Sequence, residues 1–350
     1  MGKYLTRRIL QSIPLLIIVT VLVFFLTKLA GDPLASLNQD PRVTERDRAV
    51  LRSKYGLDDP LPLQFVHWLI GDDWYLRQIN IDFTDPNTGE RITQSLEPQY
   101  GERLGVIRGD FGESIRFQRD VTTVINQRIP PTLILMITQY IVTLVFALAL
   151  GMYSAIRPYS TGDNVITAFS FILFSMPVFL VALLLVQVFA VQLRILPVQG
   201  MYDVRGDRSV DELMRHLILP VVSLAAINVA GYSRYIRSTM LEVINSDYVR
   251  TARAKGLSER RVTYLHALKN AALPLVTLIG LDIPFLLGGA VITETIFSWP
   301  GMGFMYIEAL NFLDAPLIVA FVLITAVSVV FFQLLTDIVY SWLDPRIRYN

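Results

Sequence analysis

Hydrophobic residues along this chain fall into six long runs, which are separated by segments rich in charged and polar residues. An α-helix needs about 20 mostly apolar residues to cross the hydrocarbon core of a bilayer. The six predicted membrane-spanning helices cover residues 9–29, 133–156, 165–193, 217–235, 273–297 and 317–342. This pattern predicts an all-α, polytopic membrane protein.

Prolines divide into two groups by their place in these runs. Because the first N–H groups of a helix have no acceptor within it, proline is tolerated at a helix start. Such starts are predicted at Pro130-Pro131, Pro220, Pro274 and Pro316. Pro177 and Pro284 lie inside their runs and predict kinks.

The first run follows Lys3, Arg7 and Arg8, a charge pattern that secretory signal peptides also have. Its apolar stretch is long, and no convincing small-residue cleavage pattern follows it. We therefore interpret this run as an uncleaved membrane anchor.

The polar segments predict three parts of the chain. Residues 1–30 form a tail and the first span, residues 31–131 an extracytoplasmic segment, and residues 132–350 a five-helix core with a cytoplasmic loop at 236–272. Within the second part we expect a helix over 42–55, a turn at 86–89 and turn-like structure at 109–112. That part is either a folded cap without chemistry or a docking surface for an external partner.

Composition places the chain firmly among integral membrane proteins. Hydrophobic residues make up 53% and charged residues 17%, whereas soluble domains are about a quarter charged. The net charge of +1 gives no support for nucleic-acid binding. Cysteine is absent, which excludes disulfides, thiolate nucleophiles and cysteine metal sites.

Basic residues set the predicted orientation, because lysine and arginine near span ends favour the cytoplasm. The N-terminus, Arg157, the loop from Arg234 to Lys269, and the tail with Arg346 and Arg348 fall on one side when six spans alternate. Four arginines lie on the other side, between 194 and 216, but four acids accompany them. Both termini are therefore predicted to be cytoplasmic.

The loop from Arg234 to Lys269 carries eight basic residues and three acidic ones. Ser246 or Asp247 is suited to cap a helix start there, and Gly256 to end the helix in a left-handed conformation. An apolar face is predicted from the three- to four-residue spacing of Leu241, Ile244, Tyr248 and Ala252.

Catalytic and metal-binding patterns are nearly absent from the sequence. No lysine is followed by Ser or Thr, so the chain lacks the phosphate loop that ends in Gly-Lys-Ser/Thr. His67, His216 and His266 show no metal-ligand spacing, and no metal site is predicted. Three acids fall in or near predicted spans, where charge is costly and suggests function, namely Asp282, Glu294 and Asp337. The Gly-x-Gly-Asp pattern of intramembrane aspartyl proteases is missing.

Five stretches together resemble one transporter family over nearly the whole chain. They are Tyr-Val-Arg-Thr-Ala-Arg-Ala-Lys-Gly-Leu at 248–257, His-Ala-Leu-Lys-Asn-Ala-Ala-Leu-Pro at 266–274, the N-terminal 4–10 with Pro14, the run 286–303 ending in Trp-Pro-Gly-Met-Gly, and the tail 337–346. The chain resembles permease subunits of binding-protein-dependent ABC importers, in the dipeptide and oligopeptide branch that includes nickel importers. Arg250-Thr251-Ala252 stands where the wider family has Glu-Ala-Ala, which fits this branch.

The resemblance implies the type I ABC importer permease architecture and a set of partners. These are a second homologous permease, two ATP-binding subunits that hold ATP and magnesium, an extracytoplasmic solute-binding protein, a peptide substrate and membrane lipid. The coupling helix would comprise Tyr248, Arg250, Thr251, Ala252, Arg253, Ala254, Lys255, Gly256 and Leu257. The alternative for this basic run is that it enforces topology and contacts anionic lipid headgroups.

The translocation path is less well defined by sequence. A wide, water-lined cavity shared by two permeases needs polar residues in the spans, and the candidates are Gln139, Gln187, Asn228 and Asp282. The small residues at 288–290 favour close helix contact, either within the subunit or at a subunit interface. The alternative function is a self-sufficient secondary transporter or channel, although the internal repeats typical of such proteins are not seen.

The absence of cysteine makes the predicted orientation testable. In intact cells, Ser95→Cys is expected to react with a membrane-impermeant thiol reagent, whereas Ser258→Cys reacts only after the cytoplasmic face is opened. The cysteine-free parent chain is the control. Reversed labelling would overturn the orientation and the coupling role that depends on it.

Overall fold

A computed structural model describes residues 2–29, 44–84, 91–282 and 288–343 of the chain. These residues form two compact units. The large unit takes its described residues from Met1–Ser12, Gln127–Glu308 and Thr325–Asn350, and the small unit from Ile13–Asn126 and Ala309–Ile324.

Helices account for most of the described chain. They are α1 (Gly2–Leu29), α2 (Glu45–Lys54), α3 (Leu61–Ile70), α4 (Val121–Ile156), α5 (Thr161–Ser175), α6 (Val178–Leu185), α7 (Val210–Ile244), α8 (Asp247–Ala254), α9 (Glu259–Arg261), α10 (Lys269–Ala271), α11 (Leu273–Asp282), α12 (Val291–Ile296), α13 (Met302–Asn311) and α14 (Ala315–Leu343). Wider π-helical turns at Val186–Gln192 and Val262–Leu268 extend α6 and join α9 to α10.

Four described helices are long and apolar enough to cross a membrane, namely α1, α4, α7 and α14. A fifth span is counted if α5 and the helix that follows it are taken together. The predicted span over 273–297 is not among these helices, because α11 ends at Asp282 and residues 288–290 are not helical. The chain is therefore a multi-pass membrane protein with four to five spans in its described residues.

The bend between α5 and α6 confirms the predicted kink at Pro177. The two helices meet at 108°, and Pro177 directly precedes α6. Proline lacks the N–H that a continuous helix would need at this point. Pro284, where a second kink was predicted, lies outside the described residues.

The prediction that certain prolines mark helix starts is confirmed for two of the four sites. Pro274 and Pro316 occupy the second position of α11 and α14, as expected. Pro130-Pro131 and Pro220 lie inside α4 and α7, so the prediction that they mark helix starts is wrong. Hydropathy locates the apolar part of a helix, whereas these two helices begin in polar sequence about three turns earlier.

The small unit contains a two-stranded antiparallel sheet, so the all-α prediction is wrong for this part. Strands β1 (Leu76–Thr84) and β2 (Arg91–Tyr100) pair with Leu76 opposite Tyr100 and Thr84 opposite Arg91. Ile79 and Ile81 alternate inward and are buried, as expected when one sheet face packs on a core. The predicted turn at 86–89 lies outside the described residues.

The inward face of β1 also carries a buried charged side chain, Arg77. Arg77 donates to Asp59 Oδ2 at 2.6 Å and lies 3.1 Å from Nδ1 of His67. Burial, followed by the positive charge of Arg77, lowers the pKa of His67.

The helix predicted over 42–55 is confirmed as α2, whose N-cap Thr44 and Asp47 form a capping box.

A buried aspartate organises the other end of the small unit. Asp314 accepts hydrogen bonds from the hydroxyl of Ser114, from the backbone N–H of Arg116 at 3.0 Å and from that of Leu317 at 3.3 Å. The Arg116 guanidinium lies 4.2 Å from the ring centre of Phe312. These contacts hold the chain before α4 against the start of α14.

Candidate functional site

The short helix α8 is the centre of the predicted coupling segment, and Gly256 ends it as predicted. Gly256 has φ +77°, its N–H donates to Arg253 O at 2.9 Å, and the N–H of Leu257 reaches Ala252 O at 3.4 Å. This pair of hydrogen bonds is the Schellman motif, in which a left-handed residue closes a helix. The turn therefore fixes the direction in which the chain leaves α8.

The start of α8 differs from the expectation in its hydrogen bonding. Ser246 occupies the N-cap position, but its hydroxyl donates to Val243 O at 2.6 Å and does not cap α8. Asp247 is the first helical residue, where its charge favours the helix dipole but its side chain does not cap. The predicted side-chain cap is therefore wrong, because the hydroxyl is used to finish α7.

One face of α8 is buried, and it matches the predicted apolar face only in part, since Leu241, Ile244 and Ala252 pack in one apolar cluster but Tyr248 does not. Val249 and Ala252 are buried, whereas Tyr248 is 45% exposed. The expectation that Tyr248 belongs to the apolar face is wrong, because α7 ends at Ile244 and a break separates it from α8. The helical period therefore does not run from Leu241 through Ala252.

A continuous apolar cluster supports this buried face. The cluster combines side chains of α4, α7, α8, α11 and the helical segment after α9, with Leu257 packed against it. Its buried members are Ala147, Met152, Ala155, Ile236, Met240, Val249, Ala252, Val262, Ala267, Ala271 and Leu275. Because packed interiors deform little, α8 is bound firmly to the ends of two long helices.

The opposite face of α8 is open to solvent. All the other predicted coupling residues up to Gly256 are exposed, namely Tyr248, Arg250, Thr251, Arg253, Ala254, Lys255 and Gly256. Tyr248, Thr251 and Lys255 follow one another at three- and four-residue steps and so share a stripe. Arg253 is paired with Glu259 at 2.9 Å, which fixes the start of α9 against the end of α8.

An ion pair between a buried aspartate and a half-buried arginine lies near this cluster, and the sequence does not predict it. Arg237 on α7 donates through two nitrogens to both carboxylate oxygens of Asp163, each at 2.7 Å. Asp163 is in the first turn of α5, which Ser160 caps. This bidentate pair joins α5 to α7. The sequence offers only the capping pattern at Ser160 as a signal, and the position of Arg237 in the basic loop predicts a solvent-exposed charge.

Glu294 has a structural role in the described residues. Its carboxylate is fully buried and accepts hydrogen bonds from the N–H groups of Gly303 at 2.7 Å and Phe304 at 3.0 Å, and from Thr132 Oγ1 at 3.0 Å. Gly303 and Phe304 belong to the first turn of α13, whose N–H groups lack acceptors within the helix. Glu294 therefore caps α13 from α12.

The Trp-Pro-Gly sequence after Glu294 completes this arrangement. Trp299 is buried and its indole N–H donates to Pro131 O at 2.8 Å, while the N–H of Met302 donates to Thr132 Oγ1 at 2.7 Å. A Cβ atom on Gly301 would lie 2.4 Å from Thr132 Oγ1, so glycine is required for this approach. The Trp-Pro-Gly sequence thus joins α12 and α13 to the first third of α4.

The four candidate path residues lie in different surroundings. Gln139 is buried and donates to Thr143 Oγ1 at 2.8 Å within α4. Gln187 and Asn228 are exposed, and Asp282 is half-buried and accepts a hydrogen bond from the Tyr232 hydroxyl. The four side chains make no hydrogen bonds with one another in the described residues. Their role in the path stays a prediction.

Asp337 and the three histidines are the remaining titratable residues that stand out in the sequence, and each is either paired or at least partly buried. Asp337 pairs with Arg8 at 3.2 Å. His67 is buried in the small unit, His216 is buried in the first turns of α7, and His266 is half-buried in the segment after α9.

Comparison with known proteins identifies the class of this membrane protein. Residues 147–349 match the family described as binding-protein-dependent transport system inner membrane component, and residues 1–76 match the N-terminal family of such membrane components. The chain is 40% identical to the oligopeptide transport system permease protein AppB of Bacillus subtilis. It is 35% identical to the glutathione transport system permease protein GsiC of Salmonella choleraesuis, and each match covers 100% of both chains.

The chain belongs to the family of inner membrane components of binding-protein-dependent transport systems. Residues 248–257, which were singled out by sequence, lie within the matched region, as do Glu294 and the Trp-Pro-Gly sequence. The multi-pass helical architecture is thus that of a transport permease subunit.

The role of Glu294 in capping α13 can be tested by stability. Glu294→Ala leaves the N–H groups of Gly303 and Phe304 buried without an acceptor, at about 1–3 kcal/mol for each group. We expect a lower thermal unfolding midpoint for the purified protein in detergent. Glu242→Ala, at an exposed position, is the matched control. Equal midpoints for the two variants would contradict the capping role.

Proposed function

We propose that this chain is a transmembrane permease subunit of an ATP-driven importer for dipeptides or oligopeptides. Its family membership and the printed names of two full-length relatives, an oligopeptide and a glutathione permease, support this substrate class. The chain would form the translocation path together with a second, homologous permease. Gln187, Asn228 and Asp282 keep exposed or partly exposed polar atoms that suit such a path, and Gln139 would stiffen α4 beside it.

The observation that carries this proposal is the two-sided environment of α8. One face is packed into the cluster that contains the ends of α4 and α7, and the other is exposed. A helix fixed to the spans on one side and free on the other is suited to insert into a groove of a partner. Movement of that partner would reach α4 and α7 through Val249 and Ala252.

The partner for the exposed face would be an ATPase. The chain has no Gly-Lys-Ser/Thr phosphate loop, so ATP and magnesium would be bound by two separate ATP-binding subunits, and this chain would not itself be an enzyme. The exposed Tyr248 supplies an aromatic anchor, and Arg250 and Lys255 supply positive charge. An extracytoplasmic solute-binding protein would deliver the peptide on the other side of the membrane.

The proposed location is the plasma (inner) membrane of a bacterium or archaeon, with both termini in the cytoplasm. The basic residues of the 236–272 loop support this orientation through the positive-inside rule. The exposed arginines of α8 would contribute to both topology and ATPase binding. No nucleic-acid partner is proposed.

Gly256 provides a test of the coupling role. A Cβ atom at this position meets nothing within 4 Å, so any effect of a substitution arises from the backbone conformation and not from a clash. Gly256→Val must hold a β-branched residue at positive φ, which costs about 1–2 kcal/mol or more, whereas Gly256→Asn tolerates that conformation. We expect normal membrane levels for both variants and a loss of coupled ATPase activity of about 5- to 30-fold in the Val variant only.

This pair is measured in the complete complex with its ATPases and binding protein. Import by Gly256→Val at the rate of the wild type, with tight ATPase association, would show that this turn does not transmit force. Charge reversal at Arg253, Lys255 and Arg260 distinguishes the coupling role from the alternative in which these residues contact lipid headgroups. The lipid alternative predicts altered topology or headgroup affinity without uncoupling.

Substitutions at two neighbouring residues of α8 test packing and partner binding separately. Val249→Ala removes buried methyl groups and is expected to destabilise the isolated permease by about 1–3 kcal/mol. Tyr248→Ala, on the exposed face, is expected to leave the thermal midpoint of the permease unchanged and to weaken ATPase association. Thermal unfolding in detergent and co-purification of the ATPase measure the two effects. A Tyr248→Ala variant that retains the ATPase fully would refute the proposed face.

A further inference from the structure

Three potential metal ligands meet where the loop 193–209 joins α7. Asp203 comes from the loop, and Glu212 and His216 lie one turn apart on the same face of α7. One ligand atom from each of the three side chains lies within 4.8 Å of the others. We infer that this cluster is a binding site for a divalent transition-metal ion of the Zn2+ type.

The state of His216 is the first argument for a metal. Its Nδ1 lies 3.0 Å from the carbonyl oxygen of Gly200, which can only accept, so Nδ1 carries the proton. The other nitrogen, Nε2, is then free to act as a ligand. A backbone carbonyl that holds the second ring nitrogen is the usual support for a metal-binding histidine.

The burial of Nε2 is the second argument. His216 is 5% exposed, and Nε2 is enclosed without a hydrogen-bond partner in the described residues. A buried polar atom without a partner costs about 1–3 kcal/mol, so its presence points to a ligand. The atom faces the carboxylate of Asp203, at 3.6 Å from Oδ1.

That separation is too long for a hydrogen bond and close to the spacing of two metal ligands. With metal–ligand distances of about 2.0–2.1 Å and tetrahedral angles, neighbouring ligand atoms lie about 3.3 Å apart. A small movement of the exposed Asp203 side chain would bring it to this distance.

Glu212 is already fixed in place by the loop. Its Oε1 accepts from the N–H of Asp203 at 2.6 Å, and its Oε2 accepts from the N–H of Arg208 at 2.8 Å. A carboxylate retains lone pairs after two such bonds, so Glu212 can also bind a cation. The same bonds hold Asp203 beside the histidine.

The donor set decides the class of metal. One imidazole and two carboxylates suit Zn2+ and neighbouring transition metals, whereas Mg2+ and Ca2+ prefer oxygen ligands throughout. Three protein ligands, of which Asp203 is exposed, leave a fourth position for water. A bound ion would fasten the loop 193–209, which also contacts Phe297 through the N–H of Gly200 at 2.8 Å, to the start of α7.

Metal titration of the full chain tests the site. The chain has three histidines and no cysteine, so background binding is small when a tag without histidine is used. After chelator treatment in detergent, calorimetric titration with Zn2+ is expected to show one strong site. His216→Gln is expected to weaken binding by about a hundredfold, and His266→Gln is expected to leave it unchanged.

Asp203→Asn is a second variant in case His216→Gln fails to fold. Because the Asp203 side chain is 75% exposed, its replacement is not expected to disturb folding. It is expected to weaken Zn2+ binding without changing the thermal midpoint of the metal-free protein. Trypsin cleavage after the exposed Arg205 and Arg208 supplies a second readout, since Zn2+ is expected to slow it in the wild type and not in His216→Gln.

Two results would overturn the site. One is the absence of Zn2+ binding by the wild-type chain, which would leave an ion pair or a water at His216. The other is equal binding by the wild type, His216→Gln and Asp203→Asn. Neither result depends on transport, so they are distinct from failure of the proposed import function.

Discussion

Inside a bilayer, every backbone polar group must find a partner within the protein, and this constraint shapes the large unit. Its helices are interrupted after Ser175 and between α11 and α13, and each interruption leaves helix ends to be satisfied. Glu294 meets the need at α13, where one buried carboxylate binds two N–H groups and a threonine from α4. The glycines around it permit the close approach that these bonds require.

The proposed coupling segment likewise depends on both a local turn and packing against distant residues. A Schellman turn at Gly256 defines where α8 ends, but the apolar cluster beneath Val249 and Ala252 decides how the helix is held. The bidentate Asp163–Arg237 pair ties α5 to α7 beside that cluster. A force applied to the exposed stripe of α8 would therefore act on several spans together.

The loop between α6 and α7 is likewise held by hydrogen bonds between residues that are distant in sequence. Gly200 binds Phe297 through its N–H and His216 through its carbonyl, while Glu212 gathers the N–H groups of two loop residues. The loop therefore positions Glu212 and His216 through its own backbone groups, which is the kind of support that the proposed metal site would need.

The sequence by itself determined the features that depend on neighbours along the chain: the apolar spans, the kink at Pro177, the capped helix α2 and the left-handed Gly256. The family resemblance was also visible, because its motifs are continuous. Only the tertiary structure decided that Val249 and not Tyr248 faces the core, that Glu294 caps a helix, and that Asp203 lies beside His216. These outcomes depend on residues brought together from distant positions, and neither periodicity nor capping patterns encode such distances. The strands β1 and β2 escape prediction for the same reason, since their pairing with each other and the burial of Ile79 and Ile81 define them more than their own polar sequence does.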